Sequence, residues 1–390
     1  MSEKCDAHRI LIVFNTVSLY GMERGVIETF DLLRPNIKPH FLLSYTANRL
    51  DLPLLAEIKR RNFSYTFFSD KKGWGRVGKP KSLKHLIVSL YALIKGNIDV
   101  LRSSAHQDSL YLPGVLYFNF AFLASVYFRL KRRRVIYHFH DLILNRSILL
   151  KLATPFISDF IHNTEVSYQM VINSNPCIKG KNNLVIPYPV SERQHVQNNG
   201  DAKRFFEGNK NIIFIGQVSK HKGVDLLVDA FKIIADDYPD AALHIVGGIA
   251  EPSFQKELQQ KSSSLNLRIH FWGYRDDALC LLKMSHIHVL PSPPKVFNES
   301  FGIVVAEAMA LGIPTVCFRS GALQELVVHN QTGLVCEQET PENIAEALRR
   351  FLDEPEFRDD CGRRAQERYR DRYSHEQIKT RWLDLFEDKR

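Results

Sequence analysis

Cysteine is scarce in this 390-residue chain. The six (Cys5, Cys177, Cys280, Cys317, Cys336 and Cys361) are scattered, with no C-x-x-C pair. That argues against a disulfide framework and a structural zinc site, and it fits a reducing cytoplasm. Short-period repeats, low-complexity segments and an aromatic–basic nucleic-acid motif are also missing. The loop after the first strand pattern lacks the G-x-G-x-x-G dinucleotide fingerprint, so a nicotinamide cofactor is not supported. The chain opens MSEKCDAHRILIVF, straight into a strand pattern, and no signal peptide is expected. With 45% apolar and 24% charged residues, the composition is that of a globular protein long enough for two or three domains.

Charge is unevenly spread. The net charge is +9, yet residues 1–195 carry 27 basic and 14 acidic residues against 25 and 29 in the remainder. An anionic partner for the first half follows: a membrane surface, a phosphate-bearing substrate or nucleic acid. Leu110 to Phe128 is uncharged and ends at Arg129-Leu130-Lys131-Arg132-Arg133-Arg134. It is about long enough to span a bilayer. Pro113, Gly114, Asn119 and Ser125 interrupt it, so a buried or membrane-surface helix is expected rather than a span.

Strand and helix patterns alternate along the chain. In the first half, strands are expected at Ile10–Phe14, Phe41–Ser44, Ser64–Phe68, Asp99–Arg102, Val135–Phe139, Phe160–His162 and Leu184–Ile186. Helices are expected at 25–33, 52–61 and 84–94, with a basic loop at 71–84. Residues 191–210 are polar and patternless, a linker signal. The alternation restarts at Ile212–Ile215 and continues through Leu243–Val246, Ile269–Trp272, His286–Leu290, Thr315–Phe318 and Leu334–Cys336, with helices between them. Such alternation predicts two doubly wound parallel sheets in series. The expected domains are residues 1–190 and 211–372, joined by the linker 191–210. A C-terminal helix at 373–390 shows Ile378, Trp382, Leu385 and Phe386 on one face and crosses back to the first domain.

Four constellations carry candidate chemistry. The first runs from Phe297 to Pro314, with Glu299 just ahead of a helix that starts near Gly302 and Glu307 inside it. Free amides at a helix start form an anion site, and carboxylates on either side suit vicinal hydroxyls of sugar or ribose. Ile303, Val304, Val305, Ala306, Ala308, Met309 and Ala310 surround Glu307, and a carboxylate in so apolar a helix is rarely a solvated charge. The second is Gly216-Gln217-Val218-Ser219-Lys220-His221-Lys222-Gly223, a strand, glycine turn and lysines that make a phosphate cradle without P-loop spacing. The third is Tyr20-Gly21-Met22-Glu23-Arg24-Gly25, where Gly21 permits close backbone approach. The fourth, His138-Phe139-His140-Asp141, ends a strand with both histidines on one face. No further ligand lies at metal spacing, so no metal is expected.

In this order the four pieces resemble retaining GT-B glycosyltransferases of the GT4 group. The resemblance is strongest from Asn211 to Leu352, through the KG turn, HIVGG, FWGY, the Glu299-x7-Glu307 block with G-I-P, and TGLV. The first domain matches more loosely, by Gly21-Met22-Glu23-Arg24 and His140-Asp141. The implied fold is two Rossmann-like domains facing a central cleft. The resemblance implies that Glu307 holds the donor ribose and Glu299 the donor sugar. Lys222 and the amides of Ser300, Phe301, Gly302, Ile303 and Val304 would hold the diphosphate. Gly21 would close over it, and His140 would sit beside the transferred sugar. His140, Lys222 and Glu299 are thus the catalytic candidates. Gly216, Gln217, Gly247 and Tyr274 complete the donor side, with Tyr274 near the base, and Glu23 and Arg24 lie on the acceptor side. Two departures stand out. Gln217 occupies the family's usual arginine position, and Tyr20 a usual glycine position.

The implied activity is metal-independent, retaining hexosyl transfer, with no resident cofactor. The donor is a nucleotide sugar, UDP-glucose first and GDP-mannose second, by family frequency. The expected acceptor is a glycan or lipid-linked glycan of the cell envelope or an exopolysaccharide, the location cytoplasmic and peripheral at the inner membrane face, and nucleic acid no partner. A non-catalytic sugar-nucleotide binder or scaffold and a sugar-nucleotide epimerase remain as alternatives.

Overall fold

The computed structural model describes residues 7–14, 16, 19, 21–44, 52–69, 83–140, 142, 145–190, 200–207, 210–249, 251–264 and 267–387. Tyr20, Asp141, residues 71–82 of the basic loop and linker residues 191–199 lie outside them. The chain divides into two compact units. One comprises residues 1–189 and 378–390, the other residues 190–377.

The first unit runs β1 (His8–Phe14), α1 (Gly21–Leu32), β2 (Ile37–Leu43), α2 (Pro53–Arg60), β3 (Ser64–Phe67), α3 (Leu83–Ser103), β4 (Ser109–Leu112), α4 (Val115–Leu130), β5 (Arg134–Phe139), α5 (Ile148–Ala153), β6 (Asp159–His162), α6 (Glu165–Ser174) and β7 (Asn182–Val185). The strands are parallel in the order β3-β2-β1-β4-β5-β6-β7, so the order reverses between β1 and β4. Alternating side chains feed two cores. Leu11, Val13, Leu110, Leu112, Val135 and Tyr137 pack with α3, α4, α5 and α6. Ile10, Ile12, Phe14, Tyr111 and Ile136 pack with α1 and α2 on the other face.

The second unit runs α7 (Gly200–Phe206), β8 (Lys210–Ile215), α8 (Val224–Ile234), β9 (Ala241–Val246), α9 (Pro252–Ser264), β10 (Ile269–Gly273), α10 (Ala278–Lys283), β11 (Ile287–Leu290), α11 (Ile303–Ala310), β12 (Thr315–Phe318), α12 (Leu323–Leu326), β13 (Gly333–Cys336), α13 (Pro341–Asp353) and α14 (Pro355–Arg372). Its strands are parallel in the order β10-β9-β8-β11-β12-β13, reversing between β8 and β11. Helix α15 (His375–Glu387) follows, and from Ile378 onward it belongs to the first unit. Ile378, Trp382 and Leu385 are buried in the core under α1 and α2, with Trp382 ring-to-ring against Phe30, Tyr111 and Phe386.

Several expectations need correction. Leu110–Leu112 is not part of the apolar helix. It is the strand β4, and Pro113-Gly114 turns the chain before α4 begins. No helix among the described residues is long and apolar enough to cross a membrane. The strand expected at Asp99–Arg102 is the last turn of α3. Helix α1 starts at Gly21 rather than 25, and residues 200–206 of the patternless segment form α7. Helix α14 was not anticipated. It buries only Cys361, Gly362, Ala365 and Tyr369, and its outer face is held by charge pairs such as Arg363 with Glu367. A stripe so narrow in so charged a sequence gives little periodicity. The basic run after α4 also divides. Arg134 pairs with Asp159 at 2.8 Å, and Arg133 donates to the Gln107 carbonyl, leaving Lys131 and Arg132 exposed.

Trp382→Ala should destabilise the protein by about 3–5 kcal/mol in chemical denaturation, through the cavity left beside Phe30 and Tyr111. A loss under about 1 kcal/mol would show that α15 does not complete this core.

Candidate functional site

In the second unit, β8 and β11 are neighbours whose connections leave in opposite directions. That reversal makes a crevice at their carboxyl ends. The chain after β8 makes a short turn at Lys220–Lys222, and Gly223 then takes a left-handed conformation (φ 68°). A Cβ on Gly223 would stand 2.0 Å from the Pro291 carbonyl oxygen, so only glycine lets this turn lie on the segment after β11. The approach brings Lys222 to Glu299. Lys222 Nζ donates to Glu299 Oε1 at 2.7 Å, and Ser292 Oγ donates to the same oxygen at 2.6 Å. Among the described residues Oε2 accepts no hydrogen bond. Lys222 also lies over the Phe297 ring, 4.1 Å from its centre. Glu299 is 7% exposed, and its own amide and carbonyl are tied to Ser320 Oγ and the Ala322 amide. His221, next in sequence, is held below its ordinary value by partial burial and then by the Lys222 ammonium.

Helix α11 begins three residues beyond Glu299. Gly302 is its N-cap at φ 91°, and no side chain caps the helix. A Cβ there would meet Leu323 Cδ2 at 2.6 Å. The leading amides of Ile303 and Val304 therefore start a helix with no competing side-chain oxygen, a favourable place for an anion. Glu307, in the second turn, is 4% exposed and flanked by buried Val305, Ala306, Ala308 and Met309. A carboxylate at such a position is paired or hydrogen-bonded in water's absence.

The remaining donor-side candidates sit at the same carboxyl edge. Gly216 donates to the Val246 carbonyl, and Gly247 donates to the Gly273 carbonyl, so the ends of β8, β9 and β10 are knitted together. Gln217 is exposed. Tyr274 is 69% exposed. Ser300 is half-buried and Phe301 buried, its ring against Tyr373. A cavity of about 760 Å³ lies elsewhere, on the outer strand β10, lined by Phe205, Ser262, His270 and Trp272 among others, and it shares no residue with the Lys222–Glu299 cluster.

In the first unit, Gly21 is the first residue of α1. Glu23 is buried in the first turn, and Arg24 is half-buried. His140 directly follows β5 and is 5% exposed. His138 and His140 lie on one face with ring centres 4.2 Å apart. The Tyr111 hydroxyl lies 2.6 Å from His138 Nδ1 and 3.3 Å from His140 Nε2. His138 Nε2 lies 2.9 Å from Asn163 Oδ1, whose amide group donates to the Phe139 carbonyl. Tyr188 stacks on His140. Both ring nitrogens of His138 are thus taken by protein groups. Burial pushes His138 down to about 3 and His162 down to about 4, and it holds His140 well below its ordinary value with help from His138.

Ser292, Ser320, Tyr111 and Asn163 escape sequence reasoning. Each belongs to the site through a partner on another strand or loop, and neither spacing nor composition marks such a pairing. Glu299 and Glu307 are legible as candidates in the sequence because both sit on one short, recognisable segment.

Two parallel, Rossmann-like sheet units in one chain make the GT-B fold. Residues 196–368 match the family model for glycosyl transferases group 1. The chain is 30% identical over 250 residues to a D-rhamnosyltransferase of Pseudomonas aeruginosa, covering 60% of this chain and 61% of that protein. It is 29% identical over 231 residues to N-acetyl-alpha-D-glucosaminyl L-malate synthase of Bacillus anthracis, covering 58% and 59%. The chain thus spans about three fifths of the length of these relatives. Among solved structures, HepE of Anabaena, in complex with UDP and glucose, matches with a TM-score of 0.76 at 20% identity, over 97% of this chain and 99% of that one. A glycosyltransferase of Rickettsia africae matches with a TM-score of 0.80 at 16% identity, over 98% of both. The expected fold therefore stands, and the family match over residues 196–368 supports the expected resemblance.

The buried histidines set a pH dependence. Their unfolded values are near 6.5, and their folded values lie lower. Below pH 6.5 the unfolded chain binds protons that the folded chain refuses. Stability is then full above pH 6.5 and falls toward pH 3–4, by up to about 1.4 kcal/mol per pH unit for each such ring. Urea midpoints should be level from pH 8 to 7 and drop by pH 4.5. An unchanged midpoint at pH 4.5 would show that these rings titrate normally in the fold.

Proposed function

We propose that this protein transfers a hexose from a nucleotide diphosphate sugar to an acceptor hydroxyl, with retention at the anomeric carbon. One arrangement carries the proposal. Lys222, the uncapped head of α11 and the open oxygen of Glu299 converge at the switch point of the second unit. The helix head and the ammonium offer positive potential for a diphosphate, and Glu299 Oε2 offers an acceptor for a sugar hydroxyl. Glu307, buried in the second turn of α11, is assigned to the ribose. As the glycosidic bond to the diphosphate breaks, negative charge grows on the leaving oxygen. Lys222 and the α11 amides stabilise it without reorganising. The leaving phosphate oxygen takes the acceptor's proton on the same face, so no protein base is required. The carboxylates serve recognition, unlike the acid/base pair of hydrolases. His140 is assigned to the transferred sugar, Gly21 to the diphosphate, and Glu23 and Arg24 to the acceptor side.

UDP-glucose is the first donor to test. Supporting it, the structurally similar HepE was solved with UDP and glucose. Gln217 in place of an arginine favours the second reading, a sugar-nucleotide binder without turnover. A thermal-shift panel of UDP, GDP, ADP and their sugar conjugates in metal-free buffer separates these. One nucleotide should stabilise by about 2.7 kcal/mol at 100 times its Kd. Glu307→Gln should weaken that nucleotide by about 1.5–3 kcal/mol, some 10- to 150-fold. No shift with any nucleotide would remove the donor site. A shift without sugar turnover on any glycan acceptor would leave the binder.

The proposed acceptor is lipid-linked, at an anionic membrane face. The support is an apolar and basic surface on α3, α4 and α5. Leu90, Tyr91 and Ile94 on α3, Leu123 on α4, and Ile148 and Leu152 on α5 are exposed. Lys131 and Arg132, at the C-terminal end of α4, and Lys151 on α5 are exposed as well. The three helices are joined. Asn97 on α3 donates to the Asn119 carbonyl and accepts from the Leu123 amide of α4. Phe122 of α4 meets Phe156, just beyond α5, at 5.1 Å between ring centres. Each cation near an anionic surface contributes about 1 kcal/mol. Lys131→Ser with Arg132→Ser should therefore lower binding to phosphatidylglycerol vesicles about 10- to 30-fold in sedimentation. Equal binding to neutral and anionic vesicles would overturn the docking.

A further inference from the structure

Lys222 has two partners of different kinds. Its Nζ donates to Glu299 Oε1 at 2.7 Å and lies 4.1 Å from the centre of the Phe297 ring. The backbone around Phe297 is tied down on both sides. Pro293 and Pro294 open a turn in which the Val296 and Phe297 amides both donate to the Pro293 carbonyl, at 2.9 and 2.8 Å. Asn298 Nδ2 donates to the Pro294 carbonyl at 3.0 Å. Ser320 Oγ, buried beyond β12, donates to the Phe297 carbonyl at 2.8 Å, so the hydroxyl that meets the Glu299 amide also fixes Phe297. The His221 ring lies 5.4 Å from the Phe297 ring between centres. The turn at 220–222 thus supplies both the cation and a second neighbour for the ring. The Lys222 and Glu299 side chains are 17% and 9% exposed, and an aromatic face attracts a cation more strongly where water is largely excluded.

We propose that Phe297 is a positioning residue, an uncharged partner that holds Lys222 in place for a diphosphate. An ammonium has three N–H donors. Glu299 Oε1 takes one and the ring faces another, which leaves a donor for an anionic oxygen. The choice of a ring has consequences. Lys222 with Glu299 is a neutral pair. A second carboxylate in place of Phe297 would make the cluster negative and repel a phosphate. An aliphatic side chain would offer the ammonium no attraction, and side-chain entropy and hydration would draw it toward water. The ring avoids both outcomes. Its face attracts the ammonium through the quadrupole, adds no net charge and takes no proton. Phe297 acts through Lys222, so its effect follows the diphosphate and not the nucleoside. The inference deepens the sugar-transfer reading and rests on it for the identity of the anion, whereas the hold of Phe297 on Lys222 does not.

Fluorination of this one ring tests the proposal, because it drains the π face while leaving the shape nearly unchanged. Phe297 is replaced in the full chain by mono-, di- and trifluorophenylalanine, in the wild-type background and with Lys222→Met. The first arm needs no ligand and reads urea midpoints. They should fall step by step with fluorine number in the wild-type background and stay level with Lys222→Met. The same profile in both backgrounds would show that Lys222 does not use the ring, and it overturns the inference. The second arm reads Kd in metal-free buffer, for UDP by calorimetry and for uridine by NMR titration. UDP should weaken with each fluorine, by about 2- to 30-fold over the series, while uridine holds constant. A UDP affinity that does not respond to fluorine, or a uridine affinity that falls with it, overturns the role assigned to Phe297. If UDP does not bind the wild type, GDP with guanosine and ADP with adenosine take its place. Failure of all three diphosphates overturns the sugar-transfer reading instead, and the urea arm then decides the hold on Lys222.

Discussion

Close approach of backbone to backbone at the carboxyl edge of the second sheet is the constraint on which its site depends. The turn after β8 can lie against the segment after β11 only because Gly223 has no side chain to meet the Pro291 carbonyl. That contact brings Lys222 to Glu299 across the reversal in strand order. Ser292 and Ser320 then hold the carboxylate and its backbone from two further strand ends. The ion pair is partly shielded from water, so its charges interact more strongly than they would on the surface, and each depends on the other for solvation. A diphosphate entering here would share Lys222 with Glu299 rather than meet an isolated cation.

The first sheet solves a different problem. Where β4, β5 and β6 end, the described groups that bond to one another are neutral, and order comes from hydrogen bonds passed between adjacent strands. Tyr111 on β4, His138 on β5 and Asn163 beyond β6 are brought together by parallel register, which pairs Tyr111 with Ile136 and His138 with Ile161. Burial keeps the rings uncharged, and in low dielectric each satisfied bond polarises the next. One unit thus presents fixed charge and the other fixed hydrogen-bond direction.

Much of the architecture is written locally. Short apolar strands bounded by glycine, such as Asn211–Ile215 and Leu243–Val246, announce the parallel sheet of the second unit, and the Glu299–Glu307 segment announces its site. The errors fall where local signals mislead. Pro113-Gly114 ends a strand inside what reads as one apolar stretch, because a buried parallel strand and a buried helix are equally hydrophobic. Helix α14 rests on charge pairs and four small contacts, so its sequence lacks a broad apolar stripe. The Tyr111–His138–His140 chain and the Ser292 contact are pairings between distant positions. They exist only once the register of the sheets is set, and no window of sequence contains them.

The path of the chain has a consequence for its birth. Helix α15 completes the core of the first unit, yet its residues are made after the whole second unit. Trp382 and Ile378 belong beneath α1 and α2, which are made more than three hundred residues earlier, and the rest of the first unit is finished at Pro189, nearly two hundred residues before them. At translation speeds of roughly 5–20 residues per second, the first unit waits on the order of 10–40 s with one apolar face uncovered. During that interval the exposed core strip beside Phe30 and Tyr111 is a natural target for chaperone capture, and helix α15 acts as the latch that ends it.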